Sequence, residues 1–189
     1  MQDSEGGPDR DLIRRFRDGD RDAFTALYRA HSPGVFRFAL LMTGDREKAG
    51  EVVQEVFVWL IHHPRGFDPG RGSLDAFLSG VARKFVLRKL RHERRWAPLN
   101  EAATVSSGLS SSPDAFSQQD TAALMRAIAS LPARYREAVV LCDLEEKTYE
   151  EAASVLGCAT GTVRSRLHRA RDLLARKLRP EKDFQRCRV

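Results

Sequence analysis

Apolar residues recur at spacings of three and four along most of the chain, and runs with β-type alternation are absent. The repeat is plain from Leu12 to Tyr28 and again over positions 46–61. Such a spacing places apolar side chains on one face of an α-helix, because successive residues are turned by about 100°. We therefore predict an all-α protein. In the segment 46–61 the predicted buried arc consists of Ala49, Val52, Val53, Val56, Phe57, Leu60 and Ile61.

Breaker residues divide the N-terminal part into several helices. Ser32-Pro33-Gly34 predicts a turn between two of them, and Thr43-Gly44-Asp45 predicts the end of one helix and the cap of the next. Positions 62–72 combine two prolines with three glycines, which predicts a loop. Ser73 follows as the predicted N-cap of a helix that starts at Leu74.

The C-terminal part carries the pattern of a helix-turn-helix, in which two helices are joined by a short turn. Thr148 and Glu151 form a predicted capping box at the start of the first helix, and Gly157 ends it. Thr160 is the predicted cap of a long helix that extends to about Leu178. Two helices are predicted upstream, at 120–130 and 133–144, separated by Leu131-Pro132.

The long last helix has one apolar face and one polar, mainly basic face. Its predicted buried face consists of Val163, Leu167, Ala170, Leu174 and Leu178. On the opposite side or its flank lie Arg164, Ser165, His168, Arg169 and Asp172. Because arginine binds guanine edges and phosphates and serine makes shorter contacts, this surface is typical of a DNA-recognition helix.

The distribution of charge along the chain indicates three segments, which the overall composition does not reveal. The whole sequence carries +6 at pH 7, but residues 96–120 contain no Lys or Arg and three acids, and they are rich in Ser and Ala. Such a segment buries too little apolar surface to offset the entropy of ordering. We therefore predict two small helical domains joined by a flexible acidic linker. The predicted boundaries are 1–95, 96–120, 121–179 and a tail at 180–189.

The helix that starts at Leu74 ends in a strongly basic run. Between positions 81 and 95 only Glu93 opposes seven basic residues. So many like charges on one helix repel each other, and an anionic partner would relieve that repulsion. A solvated charged helix is the plain alternative. The basic residues are Arg83, Lys84, Arg88, Lys89, Arg91, Arg94 and Arg95.

Other classes of protein find little support in the sequence. It has no Gly-rich phosphate loop, nucleophile elbow or clustered acid–base pair, so we expect neither an enzyme nor a cofactor. A metal site built from His62, His63 and the cysteines is a weak alternative. No apolar run is long enough to span a membrane and no secretory signal is visible, while three scattered cysteines favour a reducing compartment. We expect a cytoplasmic protein.

Several stretches together resemble one family. Residues 51–57 (EVVQEVF) are similar to region 2.2 of bacterial sigma-70 factors, and residues 67–74 with 81–83 are similar to regions 2.3 and 2.4. Residues 148–153 and 161–171 are similar to region 4.2. The resemblance is strongest to the small extracytoplasmic-function (ECF) group. It implies a sigma factor that binds core RNA polymerase and promoter DNA, melts that DNA, and is commonly held inactive by an anti-sigma factor.

The resemblance also implies roles for particular residues. Glu51, Gln54 and Glu55 would dock on core polymerase. The −10 promoter element would be bound by Phe67, Asp68, Arg71, Arg83, Lys84, Arg91 and Arg94. The −35 element would be bound by Thr162, Arg164, Ser165, Arg166, His168 and Arg169. The alternative is a helix-turn-helix regulator that acts on duplex DNA without docking on polymerase.

Overall fold

The computed structural model describes residues 8–96 and 115–178, with side chains described for 8–92 and 121–178. These ranges are helical apart from short connections, which confirms the all-α fold. The N-terminal half comprises α1 (Pro8–Arg17), α2 (Arg21–Thr43), α3 (Arg46–His62) and α4 (Leu74–Trp96). The C-terminal half comprises α5 (Ala115–Ala129), α6 (Ala133–Val139), α7 (Tyr149–Leu156) and α8 (Thr160–Leu178). A 3-10 turn (Pro69–Arg71) precedes α4, and a π-helical turn (Val140–Leu144) follows α6.

Helix α2 runs without a break through the segment 32–34, where we predicted a turn. A proline inside a helix removes one backbone hydrogen bond and is costly. Here Leu27 precedes Pro33, and Val35 and Phe38 follow it, and all three apolar side chains are buried. Burial on both sides of the proline therefore outweighs the local signal, as tertiary context often does.

The predicted caps of the N-terminal half are present. Gly44 ends α2 in the left-handed conformation, with φ 71°, and its N–H donates to the Leu40 carbonyl at 2.7 Å. Asp45 then starts α3, because its Oδ1 accepts from the backbone N–H of Lys48 at 3.1 Å. Ser73 Oγ accepts from the N–H of Ala76 at 3.2 Å at the start of α4. These local signals position α3 and α4, which carry the predicted docking and −10 surfaces.

Helix ends and rims depart from the predictions. Helix α5 begins at Ala115, inside the predicted linker, and its sequence from Ala115 to Ala129 contains no proline or glycine that would interrupt a helix. The rest of the linker, 97–114, and the tail at 180–189 lie outside the described residues. Ile61 and Leu178, both predicted to be buried, are 48% and 41% exposed. Each lies in the last turn of its helix, where the core no longer covers it.

The two halves pack against each other, and their buried apolar residues form one continuous cluster. Ion pairs also join the two halves. Arg37 Nε of α2 lies 2.6 Å from Oε1 of Glu145, whose side chain is nearly buried. Lys147, also buried, pairs with Asp75 in the first turn of α4. The segment between the π-helical turn and α7 is thus fastened to the N-terminal half.

Candidate functional site

The α7–α8 pair forms a helix-turn-helix whose ends are fixed by local hydrogen bonds. Thr148 Oγ1 accepts from the N–H of Glu151 at 3.2 Å, and Glu151 Oε2 accepts from the N–H of Thr148 at 3.0 Å, so the predicted capping box is present. Gly157 ends α7 with φ 63°, a conformation that glycine adopts without a Cβ penalty. Val163 and Leu167 are buried and anchor α8 in the core. The opposite face of α8 is therefore held outward in one orientation.

Two tyrosines orient arginines on the outer face of α8. The guanidinium carbon of Arg164 lies 5.7 Å from the ring centroid of Tyr149, within the range of a cation–π contact. Arg169 hydrogen-bonds the side chain of Tyr135, which lowers the pKa of that tyrosine. Sequence analysis missed both tyrosines, because no spacing along the chain marks a contact between helices. Of the predicted −35 residues, the exposed ones are Arg164, Ser165, His168 and Arg169, and the half-buried ones are Thr162 and Arg166.

Arg83, predicted to contact the −10 element, is paired in this structure with a residue of the C-terminal half. Its Nε and Nη2 lie 2.8 and 3.3 Å from Oε1 and Oε2 of Glu137 in α6. The Glu137 side chain is only 3% exposed, so this carboxylate depends on Arg83 for charge compensation. In this conformation Arg83 links the two halves rather than facing a DNA strand. A contact between two segments 54 residues apart left no pattern in the sequence.

Acidic residues of α3 neutralise another part of α4. Lys89 Nζ lies 2.6 Å from Oε2 of Glu51 and 3.2 Å from Oε1 of Glu55. The hydrogen bond with Glu51 raises the pKa of Lys89. Arg88 Nη2 lies 3.0 Å from Oε2 of Glu55. The repulsion along α4 that we expected an anionic partner to relieve is therefore partly relieved within the protein.

Other basic residues of α4 are open to solvent. Lys84 and Arg91 are exposed, and Arg91 Nε donates to the Leu87 carbonyl one turn earlier, at 3.1 Å. Arg94 is part of helix α4, but its side chain is not among those that the structure describes. Among the described side chains of α4 that were predicted to bind the −10 element, Lys84 and Arg91 are therefore the exposed ones.

The loop before α4 presents some of its predicted contacts and buries another. Asp68 and Arg71 are exposed, and Asp68 Oδ1 accepts from the N–H of Gly70 at 2.9 Å, which starts the 3-10 turn. Phe67 is only 4% exposed, and its ring centroid lies 5.3 Å from that of Phe77. The buried ring of Phe67 packs against α4 and thereby anchors the loop to the core. The resemblance implies that Phe67 binds the −10 element, and in this structure little of its side chain is open to a ligand.

The outer face of α3 combines polar and apolar groups. Glu51 and Gln54 are exposed and Glu55 is half-buried, which is the arrangement that the helical periodicity predicts. Val58 and Ile61 continue the same surface towards the end of the helix and are 51% and 48% exposed. Neighbouring exposed apolar side chains with a polar rim are one component of protein-binding surfaces, although single exposed apolar residues are common on any protein. We predicted that Ile61 is buried in the core, so its part in this exposed surface was not predicted.

The residues considered for a metal site are engaged separately. His63 Nδ1 lies 2.9 Å from the Trp59 carbonyl oxygen, and its ring stacks on the indole of Trp59 with centroids 4.5 Å apart. Burial raises the pKa of the Cys142 thiol, which disfavours the thiolate that a metal would need. Among the described side chains, at 8–92 and 121–178, no group of three or more metal-binding residues converges. In the same ranges no helix is long and apolar enough to cross a membrane.

The fold and these surfaces define a helical DNA-binding protein with a helix-turn-helix at its C-terminal end. The family model described as "Sigma-70 region 2" matches residues 27–96, and that described as "Sigma-70, region 4" matches residues 121–174. The chain belongs to the sigma-70 family, and its similarity to curated ECF sigma factors places it in the ECF group.

Individual relatives support this assignment. The chain is 30% identical to RNA polymerase sigma factor CarQ of Myxococcus xanthus, over 86% of this chain and 92% of that protein. It is 32% identical to ECF RNA polymerase sigma factor SigM of Mycobacterium tuberculosis, over 90% of this chain and 84% of that protein. With ECF sigma factor SigE of Mycolicibacterium smegmatis it shares 32% identity, over 82% of this chain and 63% of that protein.

Solved structures agree on the fold. The sigma factor RpoE, solved in complex with the anti-sigma factor NepR from Bartonella quintana, matches with a TM-score of 0.67 and 27% identity, over 84% of this chain and 98% of that one. CnrH, solved in complex with the cytosolic domain of CnrY, matches with a TM-score of 0.67 and 24% identity, over 89% and 95% of the two chains. Helix α1 precedes both family matches, which begin at residue 27 and residue 121.

Proposed function

We propose that this protein is an ECF sigma factor that docks on core RNA polymerase, binds the −35 and −10 elements of a promoter, and promotes melting of the DNA. The observation that best supports this is the outer face of α8. There Arg164 and Arg169 are exposed on the second helix of a helix-turn-helix, and each is oriented by a tyrosine. Family membership adds the polymerase as the partner with which this DNA binding acts.

For the −35 element, α8 would enter the major groove, which is wide enough to admit an α-helix. Arginine recognises guanine through two hydrogen bonds to its O6 and N7 atoms, which suits Arg164 and Arg169. Backbone phosphates would be contacted by the shorter or flanking side chains. We assign that role to Thr162, Ser165, Arg166 and His168.

For the −10 element, the loop at 62–72 and the outer side of α4 would hold unpaired bases of one strand. Asp68 and Arg71 are exposed in the loop, and Lys84 and Arg91 are exposed on the helix. A base that has left the stack must be held against re-pairing, which requires a shaped loop beside a cationic surface. We keep Arg94 as a proposed backbone contact. Arg83 joins this surface when its pair with Glu137 opens.

Docking on polymerase would use the outer face of α3. Glu51, Gln54 and Glu55 supply polar contacts, and the exposed Val58 supplies apolar area beside them. The proposed action consists of binding and strand capture, with no covalent step, and its place is the cytoplasm, where transcription occurs. An anti-sigma factor is a further proposed partner, and the likeness to RpoE solved with NepR supports it.

Run-off transcription on genomic promoter fragments tests this proposal. The protein should direct initiation when core polymerase is present and should bind promoter DNA weakly without it. The variant E51Q/Q54A/E55Q should lose core binding, whereas its melting temperature should fall only slightly, because the ion pairs that it removes with Arg88 and Lys89 are surface pairs and the two glutamines still accept hydrogen bonds. Its control is E146Q/E150Q, which neutralises two exposed acids of the C-terminal half. Tight sequence-specific binding to duplex DNA, with no effect of core polymerase, would instead favour the helix-turn-helix regulator.

A further inference from the structure

The loop before α4 is fastened to α1 by an arginine. Arg17 Nε donates to the carbonyl oxygen of Pro64 at 3.0 Å, and Arg17 Nη2 donates to that of Phe67 at 2.5 Å. These two carbonyls belong to a loop with glycines at positions 66, 70 and 72, a composition that leaves the backbone many conformations. One guanidinium therefore fixes two separate points of this segment.

A second arginine of α1 reaches the same loop. Arg10 Nη2 donates to the carbonyl oxygen of Pro69 at 3.3 Å, at the start of the 3-10 turn. Helix α1 is itself held firmly, because Ile13 is buried in the core and the ring of Phe16 lies 5.5 Å from that of Phe24. The helix thus gives the loop a rigid support 47 or more residues away in sequence.

We propose that Arg17 is a positioning residue for recognition of the −10 element, which it serves by fixing the loop that presents Asp68 and Arg71. The proposal rests on the proposed function. In this proposal Arg17 does not contact the DNA. It acts through its hydrogen bonds to the carbonyl oxygens of Pro64 and Phe67. Neither family match extends to Arg17, since the region 2 match begins at residue 27.

The chemistry of the contact explains why an arginine is needed. Its planar guanidinium has donors in a fixed fork, so one side chain can serve two carbonyls at once. Hydrogen bonds from a charged donor are also stronger than those between neutral groups. A loop held in its binding conformation before the ligand arrives loses less entropy when it binds. Without the fork, the buried Phe67 ring and the contact of Arg10 with the Pro69 carbonyl still hold the loop, but the backbone from Pro64 to Phe67 loses both of its hydrogen bonds to α1.

The test compares R17A and R17K with R14A, which removes an exposed arginine from the same helix. Holoenzyme is assembled on a promoter identified by run-off transcription, and permanganate reactivity measures opening of the −10 region. We expect both Arg17 variants to lose about tenfold in open complex, the scale of one charge-assisted hydrogen bond. Affinity for core polymerase and for a −35 duplex should stay at the wild-type level, and R14A should match the wild type throughout.

Amide hydrogen exchange on the isolated chain provides a readout that does not depend on transcription. The amides of residues 65–72 should exchange faster in R17A, while those of α3 and α8 should not change. If R17K keeps full promoter opening, charge alone suffices and the positioning role is overturned. Equal losses in core binding, −35 affinity and melting temperature would show a general stabilising role and would also overturn it. If the wild type itself fails to initiate with core polymerase, the proposed function falls, whereas the exchange result still decides whether Arg17 fixes the loop.

Discussion

The two candidate DNA-binding surfaces differ in how the protein itself engages their basic side chains. On α8, Arg164 and Arg169 lie on an exposed face; Arg164 lies near the ring of Tyr149, Arg169 hydrogen-bonds the side chain of Tyr135, and both arginines remain exposed. On α4, Arg83 is paired with the buried carboxylate of Glu137, which belongs to the other half of the protein. The basic side chains of the first surface are open to a ligand in this structure, whereas those of the second are partly paired with acids of the protein itself.

This difference sets different energetic requirements for the two promoter elements. A duplex can meet α8 without displacing any contact between the halves. Recruiting Arg83 to DNA requires an exchange, because Glu137 would lose its counter-charge unless the halves separate and water reaches it. We therefore expect −35 binding to depend on local side chains and −10 binding to depend also on how firmly the two halves hold each other.

The largest expected effect comes from removing Arg83. The variant R83A leaves the Glu137 carboxylate buried and unpaired, and breaking such a pair costs about 3 kcal/mol. We expect the free energy of unfolding, measured by urea denaturation at pH 7, to fall by that order. The matched variant R164A removes an exposed arginine of α8 and should change stability by about 0.5 kcal/mol or less. Equal stabilities of R83A and R164A would remove the distinction between the two surfaces.

A double variant separates the charge effect from lost packing. In R83A/E137Q the buried residue carries no charge, so part of the stability lost in R83A should return. If the double variant is no more stable than R83A, the loss is due to packing of the Arg83 side chain. The contact would then still join the halves, but electrostatics would not explain its strength.

A smaller effect is expected on α8, and on DNA binding rather than on stability. The variant R169A removes a proposed guanine contact, which is worth about 1–3 kcal/mol of base discrimination, or roughly tenfold or more in affinity. Binding of holoenzyme to −35 duplexes, measured by fluorescence anisotropy, should lose both affinity and sequence preference. The control R176A removes an exposed arginine from the last turns of the same helix. It should weaken binding only by a general salt-dependent contribution, and an unchanged preference in R169A would exclude Arg169 as a base reader.

Sequence analysis succeeded where the determining signal is local. The capping box of Thr148 with Glu151, the glycine at 157 and the caps at Asp45 and Ser73 all act within four residues of where they stand. The apolar period of α8 likewise fixed which of its faces is exposed. These signals were enough to predict the helix-turn-helix and the outer residues of its second helix.

Contacts whose deciding partner lies far along the chain could not be predicted from the sequence. Pro33 looks like a turn signal until Val35 and Phe38 are seen in one core. The contact between the rings of Phe67 and Phe77 joins the loop to α4, and nothing in the local sequence around Phe67 marks it. The ion pair between Arg83 and Glu137 depends on how the two halves pack, and the helical periodicity of the sequence does not determine that packing.

The smallest expected effect is on the N-cap of α2, Asp20. It shows whether the charge of this carboxylate stabilises the N-terminal half. The N–H of Ala23 and the guanidinium of Arg15 both donate to Asp20, and they lower the pKa of Asp20 below its ordinary value of 3.8. A carboxyl group whose pKa is lowered by folding stabilises the fold above its unfolded pKa, and this contribution is lost as the pH falls through the folded pKa. In D20N the cap can still accept hydrogen bonds, but it no longer attracts Arg15. The wild type should therefore be more stable than D20N at pH 7, and the difference should shrink as the pH falls below about 4. Urea midpoints at several pH values measure this, with D18N as the control for loss of one nearby charge. A difference between wild type and D20N that stays constant across this pH range would mean that the Asp20 charge contributes nothing to the N-terminal half.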